Sequence, residues 1–248
     1  MARTVVISGG GTGIGLATAE VFAADGEQVL LLGRREEVLQ RAAGRIPGAR
    51  CLAVDLGEPQ GARRAAEFAA REYGTVDVLV HSAGGSGALE DRPGFGDPLE
   101  AVAHDWMLNF RLNTLTATLL TEALQDHLAT PGGRVLFLSS IAAYRGSGSA
   151  AYAASKAALH PYAHDLARRL GPRGITVNLV APGYVEETDF FGDGIGEDRR
   201  RQLIAETSTG RAGHPGDVAR TLHWLASHAA AHITSQVIQV NGGAERGH

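Results

Sequence analysis

Residues 3–15 read RTVVISGGGTGIG, an apolar run that passes directly into a cluster of glycines. Gly9, Gly13 and Gly15 have the spacing Gly-x-x-x-Gly-x-Gly, and a helix is predicted to begin near Ile14. Glycine permits a tight turn and lets backbone approach a pyrophosphate, while a helix N-terminus offers unpaired N–H groups to phosphate. A plain glycine-rich turn is the alternative, because the chain has 33 glycines. The order strand, glycines, helix favours a dinucleotide site.

The same alternation of strand and helix continues along the chain. Helix-like segments with polar faces lie at 15–25, 36–45, 59–73 and 99–129. Short apolar runs predict strands buried on both faces, at RTVVIS, QVLLLG, RCLAVD, VDVLVH, RVLFLS, ITVNLV and QVIQV. The pattern predicts an α/β fold with a Rossmann-type, doubly wound parallel sheet of about seven strands and helices on both faces. No linker is evident, so we predict a single domain over residues 1–248.

Composition excludes several classes of function. The 248 residues are 44% hydrophobic and carry a net charge of −4, which argues against nucleic acid as the main partner. Cys51 is the only cysteine, so no disulfide can form within the chain and a reducing compartment is expected. No signal peptide is evident, and no apolar run approaches the roughly 20 residues that span a bilayer. We therefore predict a cytoplasmic protein with no membrane partner.

Tyr152 and Lys156 lie four residues apart in an alanine-rich, helix-prone run. Taken with the glycine segment, this pair makes the chain resemble the short-chain dehydrogenase/reductase family over nearly its whole length. The resemblance implies the strand order 3-2-1-4-5-6-7. Further matches are HSAG (81–84) in place of the family's Asn-Asn-Ala-Gly, Asn113, Ser140, APG (181–183) and the segment 210–243.

The resemblance implies a set of catalytic residues. A ketone that accepts hydride develops negative charge on oxygen, so one group must donate a proton and another must hold that oxygen. Tyr152 would be the acid in reduction and the base in oxidation, and Lys156 would lower its pKa from the usual value near 10. Ser140 would bind the substrate carbonyl, and Asn113 would hold a water that links Lys156 to solvent.

Each of these assignments has a structural alternative. Tyr-x-x-x-Lys is common in amphipathic helices, and Asn113 could be a helix-surface residue. Ser140 could cap the following helix, and Ser139 competes for the serine role. We favour Ser140 because it directly precedes IAA, as the family's serine precedes Val/Ile-Ala-Gly.

Cofactor preference depends on the end of the second strand. Gly33 stands where NAD-preferring enzymes carry an acidic residue, and Arg34 and Arg35 follow, which favours NADP(H) over NAD(H). The alternative is that both arginines are solvated surface residues. Thr12 also stands where many NADP-dependent members of the family carry a basic residue, which weighs against NADP(H). Asp55 would meet the adenine amino group or act as an N-cap. The cofactor-binding residues that the resemblance implies are Gly9, Gly11, Thr12, Gly13, Ile14, Gly15, Arg34, Arg35, Asp55, Leu56, Ser82, Ala83, Gly84, Tyr152, Lys156, Pro182, Gly183 and Val185.

A flap over the substrate is expected at about 183–210, with Tyr184, Phe190 and Phe191 supplying apolar surface. The chain looks most similar to the 3-oxoacyl-acyl-carrier-protein reductase type of the family. The predicted substrate is therefore a carbonyl compound or 3-oxoacyl thioester, and acyl-carrier protein is the candidate partner. That partner is acidic, so a basic patch is expected beside the cleft. The candidates, if the fold brings some of them near it, are Arg134, Arg168, Arg169 and Arg173.

Other predictions concern assembly and alternative functions. The resemblance implies a homotetramer that pairs the helices at about 99–129 and 150–170, with the C-terminal strand and helix in a second interface. The alternatives are an NAD-dependent secondary-alcohol dehydrogenase acting on a sugar, polyol or steroid-like substrate, a dehydratase or epimerase, and a non-catalytic NADP-binding redox sensor. His160 and His164 lack the further ligands of a zinc site, so no metal is expected.

Two departures from the family pattern bear on the site and on the helix that carries it. His81 and Ser82 replace two asparagines, of which the first lies against the cofactor in the family. Pro161 cannot donate a hydrogen bond to Ala157 and should bend the expected long helix.

Overall fold

Seven strands alternate with helices in the computed structural model, which describes residues 2–90, 93–191 and 194–246. The strands are β1 (Thr4–Ser8), β2 (Gln28–Gly33), β3 (Arg50–Ala53), β4 (Val78–His81), β5 (Arg134–Leu138), β6 (Thr176–Pro182) and β7 (Val237–Val240). They form one parallel sheet in the order β3-β2-β1-β4-β5-β6-β7. The predicted fold class and strand order are confirmed.

Ten α-helices connect or flank these strands within the described ranges. They are α1 (Gly13–Ala24), α2 (Glu36–Arg45), α3 (Pro59–Tyr73), α4 (Pro98–Phe110), α5 (Thr116–Leu124), α6 (Ala142–Arg145), α7 (Ala150–Ala157), α8 (Leu159–Leu170), α9 (Glu197–Ala205) and α10 (Pro215–Leu225). None of the helices in the described part of the chain is long and apolar enough to cross a membrane. The cytoplasmic location stays a prediction.

The central strands are apolar on both sides because helices cover both faces of the sheet. Every residue of β1, β4, β5 and β6 is buried. Helices α3, α5 and α8 pack on one face through residues such as Ala65, Leu120 and Leu166. Helices α1, α2 and α10 pack on the other, through residues that include Phe22 and Leu222. Burial of these side chains supplies the main favourable free energy of folding.

Two helices that the sequence predicts as continuous are interrupted. The segment predicted at 99–129 divides into α4, a π-helical turn at Arg111–Leu115, α5 and a 3-10 turn. The segment at 150–170 divides after Ala157 into α7 and α8, three residues before Pro161. The interruption falls where the bend is predicted, because Pro161 has no N–H to donate to the carbonyl oxygen of Ala157.

Candidate active site

A cavity of about 1130 Å³ opens at the carboxyl ends of the strands. Its walls come mainly from the segments that follow strands β1 to β6. Parallel sheets bind ligands at this edge because the crossover loops there leave a crevice. Single ligand pockets have volumes of about 300 to 1000 Å³, so this cavity has room for a cofactor and a substrate.

The glycine turn after β1 is too closely packed for larger residues. Gly9 has a φ of +67°, and a Cβ there would lie 2.7 Å from the backbone nitrogen of Ala83. A Cβ on Gly15 would lie 2.1 Å from the carbonyl oxygen of Gly9. The first turn of α1 carries no acidic side chain. The turn therefore presents bare backbone and a helix N-terminus to the cavity, which fits a dinucleotide pyrophosphate.

Almost all of the predicted cofactor-binding residues lie on the wall of this one cavity. Within the described residues, Gly15 is the one predicted residue that does not line the cavity. It packs against the backbone of Gly9 instead. The residues that line the wall are Gly9, Gly11, Thr12, Gly13, Ile14, Arg34, Arg35, Asp55, Leu56, Ser82, Ala83, Gly84, Tyr152, Lys156, Pro182, Gly183 and Val185.

Tyr152 lies on the same wall, in the first turn of α7. The side chain of Ser149 caps this helix by accepting a hydrogen bond from the Tyr152 backbone N–H at 3.4 Å. Burial raises the pKa of the Tyr152 phenol to about 12, and a hydrogen bond with the Ser140 side chain opposes that rise. The prediction that the Tyr152 pKa lies below its usual value is therefore wrong for the free chain, because loss of hydration dominates.

Lys156 follows Tyr152 by one helical turn and is 5% exposed. Its Nζ donates a hydrogen bond to the carbonyl oxygen of Leu138 at 2.9 Å, at the end of β5. Burial lowers the pKa of the ammonium group to about 8. The loop after β4 passes close to the lysine at Gly84, which has a φ of +153°. A Cβ there would lie 2.6 Å from Oδ1 of Asn113 and 3.0 Å from this Nζ.

The two serines after β5 have different partners. Ser140 interacts with the Tyr152 side chain, and its Oγ also accepts a hydrogen bond from the Ala142 backbone N–H at 3.1 Å. Ser139 is 4% exposed, and its Oγ lies 2.7 Å from Nε2 of His160. Ser140 therefore has both the predicted position and the alternative local role of a cap. Ser139 also lines the cavity, but its Oγ bonds to His160 and to the carbonyl oxygen of Lys156 rather than to Tyr152.

Asn113 occupies the middle of the π-helical turn and is 1% exposed. Its Oδ1 accepts a hydrogen bond from the Gly85 N–H at 3.0 Å, and its Nδ2 donates to the carbonyl oxygens of Gly85 and Asn109, each at 3.0 Å. Among the described residues, Asn113 does not belong to the cavity wall. Its amide joins the loop after β4 to the helix. Asn113 is therefore buried, and the alternative that it lies on the helix surface is wrong.

Both arginines after β2 form ion pairs across the cavity. Arg34 donates through Nη1 and Nη2 to the two carboxylate oxygens of Glu90, at 3.2 and 2.6 Å. Arg35 donates to Asp189 of the flap at 3.2 Å. The arginines face the cavity, as expected for cofactor-binding residues, but their guanidinium groups already have carboxylate partners.

Asp55 lies between β3 and α3 and is held by two contacts. Its Oδ1 accepts a hydrogen bond from the Gly57 N–H at 2.9 Å, and its Oδ2 accepts one from Arg111 at 2.8 Å. Arg111 also pairs with Glu58 at 2.8 Å. The N-cap of α3 is Glu58, so the alternative N-cap role of Asp55 is wrong.

His81 points into the protein core. It is 2% exposed, stacks on Phe137 with ring centroids 4.6 Å apart, and places Nε2 2.8 Å from the hydroxyl of Thr121. The family's position against the cofactor therefore does not apply to this side chain, whereas Ser82 lies on the cavity wall.

The flap covers the other end of the cavity. Tyr184, Phe190 and Phe191 all line it, and the Phe190 ring lies 5.1 Å from the ring of Tyr152. Helix α9 begins at Glu197, within the predicted flap range. Gly192 and Asp193, also part of the predicted flap, lie outside the described residues.

The four arginines considered for a basic patch lie away from this cavity. Arg134 is the first residue of β5, at the opposite edge of the sheet, and is 5% exposed. Arg168 and Arg169 lie in the last turn of α8, and Arg173 precedes β6 at the same opposite edge. The fold therefore does not bring these arginines beside the cleft, and the predicted basic patch does not form from them. Arg145 and Arg199 line the cavity instead.

Sequence reasoning missed several residues of the wall. Arg145 bonds to Glu206 at 2.7 Å and thereby joins α6 to the end of α9. Glu90 and Arg111 reach partners that are each 56 positions away in the chain. Nothing in the local sequence marks these pairs. Among them, Arg145 could have been identified most easily as a residue of the cavity wall, because it lies between Ser140 and Tyr152 in the sequence.

Comparison with known proteins agrees with this geometry. A family model described as Enoyl-(Acyl carrier protein) reductase matches residues 9–245. The short-chain reductase protein NovJ of Streptomyces niveus is 32% identical, covering 96% of this chain and 92% of its own. The 3-oxoacyl-(acyl-carrier-protein) reductase FabG of Escherichia coli is 31% identical, covering 97% and 96%. A Brucella melitensis crystal structure titled short-chain dehydrogenase/reductase SDR:Glucose/ribitol dehydrogenase superposes with a TM-score of 0.85 and 29% identity, covering 98% and 97%.

Proposed function

The chain belongs to the short-chain dehydrogenase/reductase family of oxidoreductases, and we propose that it moves hydride between NADP(H) and a ketone or secondary alcohol. One observation carries the proposal: Tyr152, Lys156 and Ser140 share a single cavity with the glycine turn of Gly9. The nicotinamide, when bound, supplies or accepts the hydride. We also propose that residues 1–248 act as one catalytic domain.

In reduction, Tyr152 donates its phenolic proton to the carbonyl oxygen of the substrate. A pKa of about 12 keeps this proton on the phenol at neutral pH, so the group is present in its acid form. Ser140, already bonded to Tyr152, holds the same oxygen. Lys156 places a cation behind the phenol and is itself fixed by the carbonyl of Leu138. Asn113 acts as a positioning residue that fixes the loop at Gly85.

NADP(H) is the proposed cofactor because Gly33 leaves the end of β2 without a carboxylate and two arginines follow it on the cavity wall. The ion pairs of these arginines favour a second candidate, an NAD-dependent secondary-alcohol dehydrogenase. Binding measurements with both cofactors distinguish the two.

The proposed substrate is a 3-oxoacyl thioester or a similar carbonyl compound. Three aromatic side chains and Leu203 of α9 give the substrate end an apolar lining, and the named substrate of the E. coli relative has this chemistry. Acyl-carrier protein is the candidate partner, and Arg145 and Arg199 are the basic residues at the cavity available to meet its acidic surface. A homotetramer is the proposed assembly.

The test is NADPH oxidation with a panel of ketones and 3-oxoacyl thioesters. We expect turnover in the wild type, and a Tyr152→Phe variant should lose at least about 100-fold in kcat while keeping its NADPH Kd, since only the proton donor is removed. Tyr73→Phe, which removes a hydroxyl from α3 at a distance from the cavity, is the matched control and should retain activity. A Tyr152→Phe variant with most of its rate would contradict the assignment.

A further inference from the structure

The Arg34–Glu90 ion pair crosses the cavity where the second strand ends. Glu90 belongs to the loop after β4 and Arg34 to the loop after β2, and both line the cavity. Two hydrogen bonds, at 3.2 and 2.6 Å, join the guanidinium fork to both oxygens of the carboxylate. The side chains are 54% and 31% exposed, so the pair is partly withdrawn from water.

A guanidinium group binds a carboxylate or a phosphate through the same planar fork of N–H donors. An arginine after the second strand is the group that accommodates a 2′-phosphate, and here Glu90 occupies it. Asp55 adds further negative charge nearby, as its effect on the Glu90 pKa indicates. A phosphate would therefore have to displace one carboxylate in the presence of another.

We propose that Glu90 is a cofactor-specificity residue, which disfavours NADP(H) relative to NAD(H) by competing with the 2′-phosphate for Arg34. The inference rests on the proposed cofactor role of the cavity. A 2′-hydroxyl carries no charge, so NAD(H) can bind without breaking the pair. Glu90 thus reduces the preference for NADP(H) over NAD(H) that the two arginines alone would give.

The neighbouring Arg35–Asp189 pair has a smaller part in this discrimination. It has a single hydrogen bond at 3.2 Å, and its side chains are 65% and 63% exposed. Exposed pairs of this kind contribute little because water screens them. The bidentate Arg34–Glu90 ion pair is the one whose loss would change cofactor binding measurably.

The loop that carries Glu90 has other anchors, so the pair can be removed without releasing the loop. The side chain of Ser86 accepts a hydrogen bond from the Ala88 N–H at 3.3 Å. Gly87 donates its backbone N–H to Oδ1 of Asn109 at 3.1 Å, in a buried contact. A Glu90→Gln variant keeps the shape of the side chain and should remain folded.

The experiment measures the Kd of NADPH and NADH by isothermal titration calorimetry. In Glu90→Gln we expect the NADPH Kd to fall about three- to fivefold, which is the upper part of the range for loss of one competing, partly exposed ion pair. The NADH Kd should change less than about twofold. An unchanged ratio of the two Kd values would overturn the proposal.

Two controls separate competition for Arg34 from a general change in charge. Glu37→Gln removes the same charge from the exposed first turn of α2 and should leave the NADPH Kd within about twofold. In an Arg34→Ala background, Glu90→Gln should also have less than a twofold effect, because no guanidinium remains to be released. An equal effect of Glu90→Gln in both backgrounds would refute the competition. If the wild type bound neither cofactor, the proposed function itself would fail, whereas binding with an unchanged ratio refutes only the role of Glu90.

Discussion

His81 shows how far a single residue departs from the motif that contains it. The sequence places it in the segment matching the family's Asn-Asn-Ala-Gly, yet its ring lies in the core against Phe137 and Thr121. The described residues provide no hydrogen-bond partner for its Nδ1. Burial lowers the pKa of His81 to about 3, so the ring is neutral in the folded protein at physiological pH.

This burial makes stability dependent on pH. Between about pH 6.5 and pH 3 the unfolded chain binds a proton at His81 and the folded chain does not, so the free energy of unfolding falls as the pH falls. We expect a contribution of about 2 kcal/mol to be lost between pH 7 and pH 5. Urea unfolding at both values should show this loss in the wild type and in the control His232→Asn, whose side chain is exposed. His81→Asn should lack it, and an equal loss in all three proteins would contradict the assignment.

At the residue scale, the motifs located the cavity but not its ion pairs. Residues in Tyr-x-x-x-Lys and in the glycine turn are close in the chain, so their spacing fixes their relative position on a helix or turn. The Arg34–Glu90 and Arg111–Asp55 pairs join loops after different strands. Their formation depends on loop conformations that the sequence pattern does not specify.

At the scale of elements, helix boundaries were predicted where local signals exist. The bounds of α2 and α3 agree with the prediction, and α3 begins with a proline at its first position, which favours a helix start. The π-helical turn at Arg111–Leu115 has no such signal. Local hydrogen bonding alone would favour a regular α-helix there. The π-helical turn occurs where Asn113 forms its hydrogen bonds with Gly85.

The flap should control the protonation of Tyr152, because the Phe190 ring lies 5.1 Å from the phenol ring. Replacing Phe190 with alanine admits water to the phenol and should lower its pKa by roughly one unit, toward the ordinary value. The measurement is the pH dependence of alcohol oxidation, whose rising limb should move to lower pH by that amount. Phe191→Ala is the control, since its ring contacts Tyr184 and Phe190, and it should move the limb less. A limb unchanged by Phe190→Ala would show that the flap does not shield the tyrosine.

At the scale of the whole molecule, the sheet follows from alternation and connection rules. Every strand is parallel to its neighbours, and right-handed crossovers leave few arrangements for seven such strands. The apolar surface of α4 could not be distinguished from a core face in the sequence. Leu99, Val102, Trp106 and Met107 are 74%, 51%, 42% and 70% exposed, although their spacing is that of a buried helix face.

This surface supports the proposed oligomer, since contiguous apolar patches on helices mark protein–protein interfaces. A charge at its centre should therefore break the assembly. We expect Trp106→Glu to reduce the mass in solution from a multiple of 25.9 kDa toward that of smaller species, as measured by light scattering after gel filtration. Arg41→Glu, on the exposed side of α2, should leave the mass unchanged. A wild type of 25.9 kDa, or a Trp106→Glu variant with the wild-type mass, would contradict the proposal.

The short 3-10 turn Asp189–Phe191 couples the two ends of the cavity. Asp189 binds Arg35 beside the nucleotide end, and the next residue, Phe190, covers Tyr152 at the substrate end. A nucleotide that broke the Asp189–Arg35 contact would therefore act on the residue next to the aromatic ring over the reacting group. We expect the dinucleotide to enter first and the carbonyl compound second.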